Sequence, residues 1–195
     1  FDEKGKIKND YLINWIEKEG EIEFLKSNLF KNINFNFEIK NNNYLFKNIG
    51  FYKNNISFIS EKLNIEKKDN IHLIEGTIKN KKSKLNKEIL DLVNFNSTNI
   101  NFDNTSFISK SNFSLELDRK FRIKNTSVKS NIELDNLIYN IPDKVGNYFV
   151  NLNKKIIIKK HKLNLDYNNK KIFLIGNGKI NINNKFENIE YSFNK

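Results

Sequence analysis

The sequence predicts a mainly β chain, an antiparallel meander of short alternating strands, on three observations. Large apolar residues alternate with polar ones, most clearly in Ile33-Asn34-Phe35-Asn36-Phe37-Glu38-Ile39, which gives a strand one dry face and one wet face. Between such runs lie polar turn clusters, among them Lys53-Asn54-Asn55, Lys67-Lys68-Asp69-Asn70 and Asn168-Asn169-Lys170, rich in the Asn that tolerates left-handed backbone. In the first half of the chain these clusters recur about every 12 to 14 residues, the length of one strand plus one turn.

Along the chain, the alternation assigns an apolar side to each strand. It holds Ile33, Phe35, Phe37 and Ile39, then Ile56, Phe58, Leu63 and Ile65. Further on it holds Phe113, Leu115 and Leu117, then Ile132 and Leu134, and last Leu163, Leu165 and Tyr167. Asn34, Asn36 and Glu38 are expected to face water. Two stretches break the pattern. Residues 9–20 place Tyr11, Leu12, Trp15, Ile16 and Glu19 at helical spacing and stop at Gly20, which predicts a short amphipathic helix. Residues 83–93, with Leu85, Ile89, Leu92 and Val93 on one stripe, predict a second. Gly176-Asn177-Gly178-Lys179 lacks the spacing of a phosphate loop and has strands on both sides, so it reads as a bulge or a close backbone approach. With no linker in view, residues 1–195 are expected to form a single β-rich segment.

Composition limits the chemistry. The 195 residues are 38% hydrophobic, enough for a core, and no apolar run approaches the roughly 18 residues of a membrane span. The chain opens at Phe1 rather than Met, which reads as an excised or processed segment; if the full protein is exported or anchored, the element responsible lies outside these residues. Its charge of +11 would ordinarily point to polyanions, but all but two of the 34 basic residues are Lys, Asn occurs 38 times, and Ala and Gln never occur. Such a residue set is what AT-rich codons write, so much of the charge reflects composition, and a nucleic-acid partner is disfavoured. The basic run from Lys154 to Lys162 holds no aromatic residue for base stacking; it reads as a solvated face, or as a cationic rim for anionic headgroups if the apolar face takes lipid.

Zero Cys excludes disulfide scaffolds, thiol catalysis, zinc fingers and iron–sulfur sites. The two histidines, His72 and His161, fall in separate strands without spaced ligand partners and read as solvated or edge-strand side chains. No catalytic set emerges, so the expectation is not an enzyme, with no cofactor and no metal. Five N-x-[ST] triplets occur in a chain so rich in Asn that about three arise by chance, and they carry little information.

A meander with one apolar face needs that face covered by another sheet, by helices or by a ligand. Ile, Leu and Phe can close a sandwich core or line a trough for acyl chains. Segments such as Phe121-Arg122-Ile123-Lys124-Asn125-Thr126-Ser127-Val128-Lys129-Ser130-Asn131-Ile132-Glu133-Leu134, and Lys162-Leu163-Asn164-Leu165-Asp166-Tyr167 leading into Ile172 to Ile182, resemble the AsmA-like family of bacterial envelope proteins, the TamB and YhdP types among them. The resemblance covers about residues 21–195 and rests on alternation, turn spacing and isolated glycines. It implies strands curled into an open, β-taco-like groove that holds or conducts phospholipid acyl chains between inner and outer membranes. It implies a periplasmic location, an inner-membrane anchor outside this segment, phospholipid as partner and other envelope proteins as possible partners. The sixteen apolar-side residues named above would then line the groove. The alternative is a structural or adhesive β-sandwich or solenoid of a surface protein, without a ligand.

Overall fold

The computed structural model describes residues 12–24, 28–40, 43–86, 100–102, 104–142, 155–182 and 185–195. Among these the chain is all β, thirteen strands paired into an open antiparallel sheet that does not close on itself. It divides into two compact units.

The first unit comprises Phe1–Asn80, Ser111–Lys129 and Tyr167–Lys170. Its centre is a meander of β1 (Leu12–Phe24), β2 (Asn28–Lys40), β3 (Asn43–Lys53), β4 (Ile56–Lys68) and β5 (Ile71–Asn80), each antiparallel to the next. Parts of β8 (Ser106–Asp118) and β9 (Ile123–Asp135) complete it. The Asn-rich clusters close hairpins as expected. Asn54 and Asn55 have φ of 49° and 62°, and Asn169 and Lys170 have 44° and 75°, so both central residues of each turn are left-handed, which matches the twist of the flanking strands.

The strands run to ten or more residues, longer than short alternating runs suggest, because irregular points join what read as separate pieces. Glu19, Asn32 and Asn48 take φ of 57°, 48° and 53°, and at each the register of β1–β2 or β2–β3 slips by one residue. The β4–β5 register slips likewise between Ile59 and Leu63. An inserted residue turns the two-residue step along one face into a three-residue step. In β2 the apolar face thus reads Phe30, Ile33, Phe35, Phe37, Ile39, and in β3 it reads Tyr44, Phe46, Ile49, Phe51.

That step also explains where the sequence misleads. No helix forms over residues 12–20, which are part of β1; Asn9 to Tyr11 lie outside the described residues. A strand with Ile13 and Trp15 on one face, Leu12 and Ile16 on the other, and a bulge at Glu19 reproduces three- and four-residue spacings without any helical turn. Pairing with β2 supplies the backbone hydrogen bonds a helix would have supplied locally. In the second predicted helix, Ser83 and Lys84 pair with β8 as a two-residue strand, Leu85 and Asn86 are irregular, and residues 87–93 lie outside the described residues.

The second unit comprises Lys81–Lys110, Ser130–Asp166 and Lys171–Lys195. It contains β6 (Ser83–Lys84), β7 (Ile100–Asn101), β10 (Leu137–Asn140), β11 (Lys155–Asn168 for most of its length), β12 (Lys171–Ile182) and β13 (Lys185–Asn194). β10 bridges β7 and β11, while β12 and β13 form a long hairpin. Phe107, Leu137 and Ile141 are its buried apolar residues. Beside them the fully buried Thr105 is satisfied on all sides: its N–H donates to the Phe102 carbonyl, its carbonyl accepts from Leu85 N–H, both at 2.8 Å, and its hydroxyl donates to the Asn136 carbonyl at 3.3 Å.

The bulge at Asn48 supports a specific expectation. Asn48→Gly should leave stability nearly unchanged, whereas Asn48→Val should cost about 1–2 kcal/mol, because a β-branched side chain resists positive φ. Denaturant unfolding of the two variants measures the difference.

Candidate functional site

The apolar face of the first unit is assembled by register. Residues directly opposite in neighbouring strands share a face, so Trp15 meets Phe37, Phe37 meets Phe46, Phe46 meets Leu63 and Leu63 meets Gly76 across five strands. One row along, Ile13, Ile39, Tyr44, Ile65 and Ile74 repeat the pattern. Aromatic rings tie the rows together: Phe37 and Phe46 lie 4.5 Å apart, Phe35 and Phe46 5.3 Å, Phe51 and Phe58 5.3 Å, and Phe30 and Phe51 5.5 Å between ring centroids. At the far side of the meander Gly76 leaves room for a neighbour from β8. A Cβ there would stand 3.0 Å from Phe113 Cζ, so the Phe113 ring occupies the space a side chain would fill.

Of the sixteen residues expected to line a groove, Ile33 and Ile56 are buried and the other fourteen are half-buried. In the first unit these are Phe35, Phe37, Ile39, Phe58, Leu63, Ile65, Phe113, Leu115, Leu117 and Tyr167; in the second, Ile132, Leu134, Leu163 and Leu165. Half-burial is what lateral packing within one layer gives, since a second layer across the face would bury such residues. At the margin of the face Trp15 is 59% exposed and Ile22 53%. Sequence reasoning missed all of β1 and β3, because the three-residue steps at Glu19 and Asn48 hide their alternation. It also missed Lys53, which lies on the same face, buried, with Nζ 5.5 Å from the centre of the Phe30 ring.

The opposite face of the first unit is mainly polar, with Leu12, Ile16, Leu45 and Tyr52 set among its Lys, Asn and Glu residues. Lys47 Nζ donates to Glu38 at 2.8 Å, and this hydrogen bond together with the Lys47 charge lowers the Glu38 pKa. Glu38 is half-buried, as is Asn34, whose side chain accepts from Glu19 N–H at 3.1 Å and donates to the Asn32 carbonyl at 2.7 Å, while Asn36 is exposed. A cavity of about 490 Å³ on this unit is lined by Lys62, Asn64, Glu75, Thr77, Asn112 and Ser114 together with Gly76 and Phe113, a mixed polar and apolar wall.

Neither histidine is a solvated side chain. His161 is buried in the second unit, its Nε2 2.8 Å from the Tyr191 hydroxyl, and burial pushes the His161 pKa down and the Tyr191 pKa up. The glycines of Gly176-Asn177-Gly178 make that packing possible: a Cβ on Gly176 would fall 2.2 Å from Tyr191 Cζ, and one on Gly178 3.1 Å from His161 Cα. This is the close approach read from the sequence. In the first unit the His72 ring stacks on Phe121 at 5.1 Å. Among the described residues no three of His, Cys, Asp and Glu gather into a metal-holding group.

Phe121 belongs to the tight turn between β8 and β9, which Asp118 organises. Its Oδ1 accepts the backbone N–H of Lys120 at 2.8 Å and of Arg122 at 3.0 Å, and its Oδ2 accepts Arg122 Nε at 2.7 Å and a second guanidinium nitrogen at 2.6 Å. The Arg122 backbone N–H first, then its guanidinium, hold the Asp118 pKa at about 2, below an ordinary 3.8. No family model matches the chain, and neither a curated protein nor a solved structure is similar to it.

Two expectations follow from these contacts. Gly176→Ala should destabilise the fold by about 1–3 kcal/mol through overlap with Tyr191. Adding Tyr191→Ser should recover part of that loss, and Gly50→Ala, where nothing lies within 4 Å, should be neutral. Chemical denaturation of the set checks this. Because the folded pKa of Asp118 lies below its unfolded value, the carboxylate's contribution is full above pH 4, roughly, and is lost as pH falls through about 2. Asp118→Asn should therefore lower the unfolding midpoint at neutral pH, with the gap to the parent closing as the pH approaches 2, read by circular dichroism in a pH series.

Proposed function

We propose that this chain is a segment of a bacterial envelope protein of the AsmA-like kind, whose apolar sheet face holds or conducts phospholipid acyl chains between the inner and outer membranes. The observation that supports the reading is the face spanning β1 to β5, in which Phe, Ile, Leu, Trp and Tyr side chains meet edge to edge and stay half-exposed. Contiguous apolar surface of this kind marks an interaction site, and each methylene removed from water on it contributes about 0.8 kcal/mol. Hydrocarbon needs dryness and width more than fixed polar contacts, which suits a surface built almost wholly of aliphatic and aromatic groups. The reverse, mainly polar and with Lys47 paired to Glu38, suits contact with water. The periplasm is the compartment this role implies, with phospholipid as partner and the membrane anchor supplied by another part of the protein.

The test is chemical. Phe37→Asp and Leu115→Asp each place a carboxylate on the apolar face, where a bound acyl chain would strip its water. If the face takes lipid, the parent chain expressed in bacteria carries phospholipid by native mass spectrometry, and both variants fold with the parent's thermal midpoint within a few degrees but carry none. A parent free of lipid, together with variants that fail to fold, identifies the face as a structural core instead.

A further inference from the structure

A cationic, aromatic tip stands out in the first unit beyond the sheet face. All but two of the 34 basic residues are Lys, and the two Arg, Arg119 and Arg122, fall in the single turn between β8 and β9. Codon bias toward Lys does not place both Arg in one turn: the planar fork of Arg122 holds Asp118 and so fixes the turn, while Arg119 is exposed, with a fork that suits phosphate oxygens. The turn is fixed by the Asp118 carboxylate and closed by two backbone hydrogen bonds, Phe121 N–H to the Asp118 carbonyl and Asp118 N–H to the Arg122 carbonyl, each 2.9 Å. Just after the central Arg119 and Lys120, Phe121 holds φ of 57° and is 69% exposed; Ile123 follows at 66%. A bulky residue in left-handed backbone is costly on its own, yet the turn holds it there, stacked on His72 on one side and largely exposed.

Further cations gather at the same end. The stack of His72 on Phe121 brings the β4–β5 hairpin alongside, with Lys67 opposite His72 and Lys68 opposite Ile71. Asn169 N–H donates to the Thr126 carbonyl at 3.0 Å and Thr126 N–H to Asn169 Oδ1 at 2.9 Å, which places Lys170 by β9. Two of the nearby carboxylates are engaged, Asp118 by Arg122 and Glu66 by Lys68 at 3.0 Å, and Asp69 leaves the balance positive.

We propose that this turn is a docking tip for an anionic bilayer surface, with Phe121 and Ile123 entering the headgroup boundary and Arg119, Lys120 and the neighbouring Lys residues meeting lipid phosphates. Aromatic rings favour the polar–apolar boundary, and basic side chains reach phosphates with their stems along apolar surface. A polyanion without an apolar layer would leave Ile123 and Phe121 in water, so the pairing of exposed apolar groups with cations favours the bilayer. Lipid held on the sheet face is a separate matter, and the experiment keeps the two apart.

The probe is the full chain sedimented with vesicles of phosphatidylcholine, alone or with about one-third phosphatidylglycerol. The expected result is binding to the anionic vesicles only, weakened by salt, and reduced roughly tenfold or more by Arg119→Glu with Phe121→Ser. A matched control, Lys31→Glu with Ile16→Ser, removes one exposed cation and one exposed apolar group elsewhere on the same unit and should bind within about twofold of the parent. Phe37→Asp should also retain vesicle binding. In a Trp15→Phe background, Phe121→Trp should show a blue-shifted emission with anionic vesicles and none with phosphatidylcholine. Equal loss in the control means diffuse charge and overturns the proposal, as does binding to phosphatidylcholine alone or an unshifted Trp emission. Loss of vesicle binding in Phe37→Asp but not in the turn variant also overturns it and leaves the sheet face as the lipid contact.

Discussion

The first unit depends on keeping the apolar residues of five successive strands on one side of a sheet. Strict alternation cannot do this for β1 to β4, whose sequences each slip once in phase. The backbone corrects the slip by inserting a residue, left-handed at Glu19, Asn32 and Asn48, so that apolar side chains on both sides of the slip share a face. Without that correction the outer part of each strand would present Ile22, Phe30 or Phe51 to the wrong side. Asn suits two of the three positions because it bears positive φ at less cost than most residues.

Half-burial along this face means that its cohesion comes from within the layer. Ladder hydrogen bonds and cross-strand pairs carry it, with the Phe35, Phe37, Phe46 cluster and the Phe30, Phe51, Phe58 series as its densest parts. Polar pairs such as Lys47 with Glu38 and Lys79 with Glu61, at 2.8 Å and 2.6 Å, decorate the wet side, where screening keeps each contribution small. In the second unit burial gathers around Phe107, Leu137 and Thr105 and where His161 and Tyr191 rest on glycines of β12. The half-buried face is the one proposed to take hydrocarbon, which links how the sheet is built to the function proposed for it.

Much of the fold was legible. The two-residue period in residues 33–39 and the Asn-rich turns at residues 53–55 and 168–170 led directly to paired strands and hairpins, because side-chain direction and turn chemistry are local properties. The error over residues 12–20 has the same local origin: a bulged strand and a helix both produce three-residue steps, and only a partner strand tells them apart. The candidate face was half legible. Phe35, Phe37, Leu63 and Ile65 announce themselves by alternation, whereas Tyr44, Phe46 and Phe51 are hidden by the step at Asn48, and buried Lys53 carries no sequence signal separating it from the solvated lysines.

By itself, then, the sequence determined what neighbours along the chain can enforce: strand periodicity, the left-handed turns, the absence of thiol chemistry, and the need for bare Cα atoms at Gly176 and Gly178. Tertiary structure decided what depends on residues far apart in the chain. It decided that Phe113 fills the space over Gly76, that His161 is buried against Tyr191, and that Phe121 stacks on His72 beside the only two arginines. The physical reason is that register and burial are properties of pairs of strands: a single strand fixes which way its side chains point, and its neighbours fix what they meet.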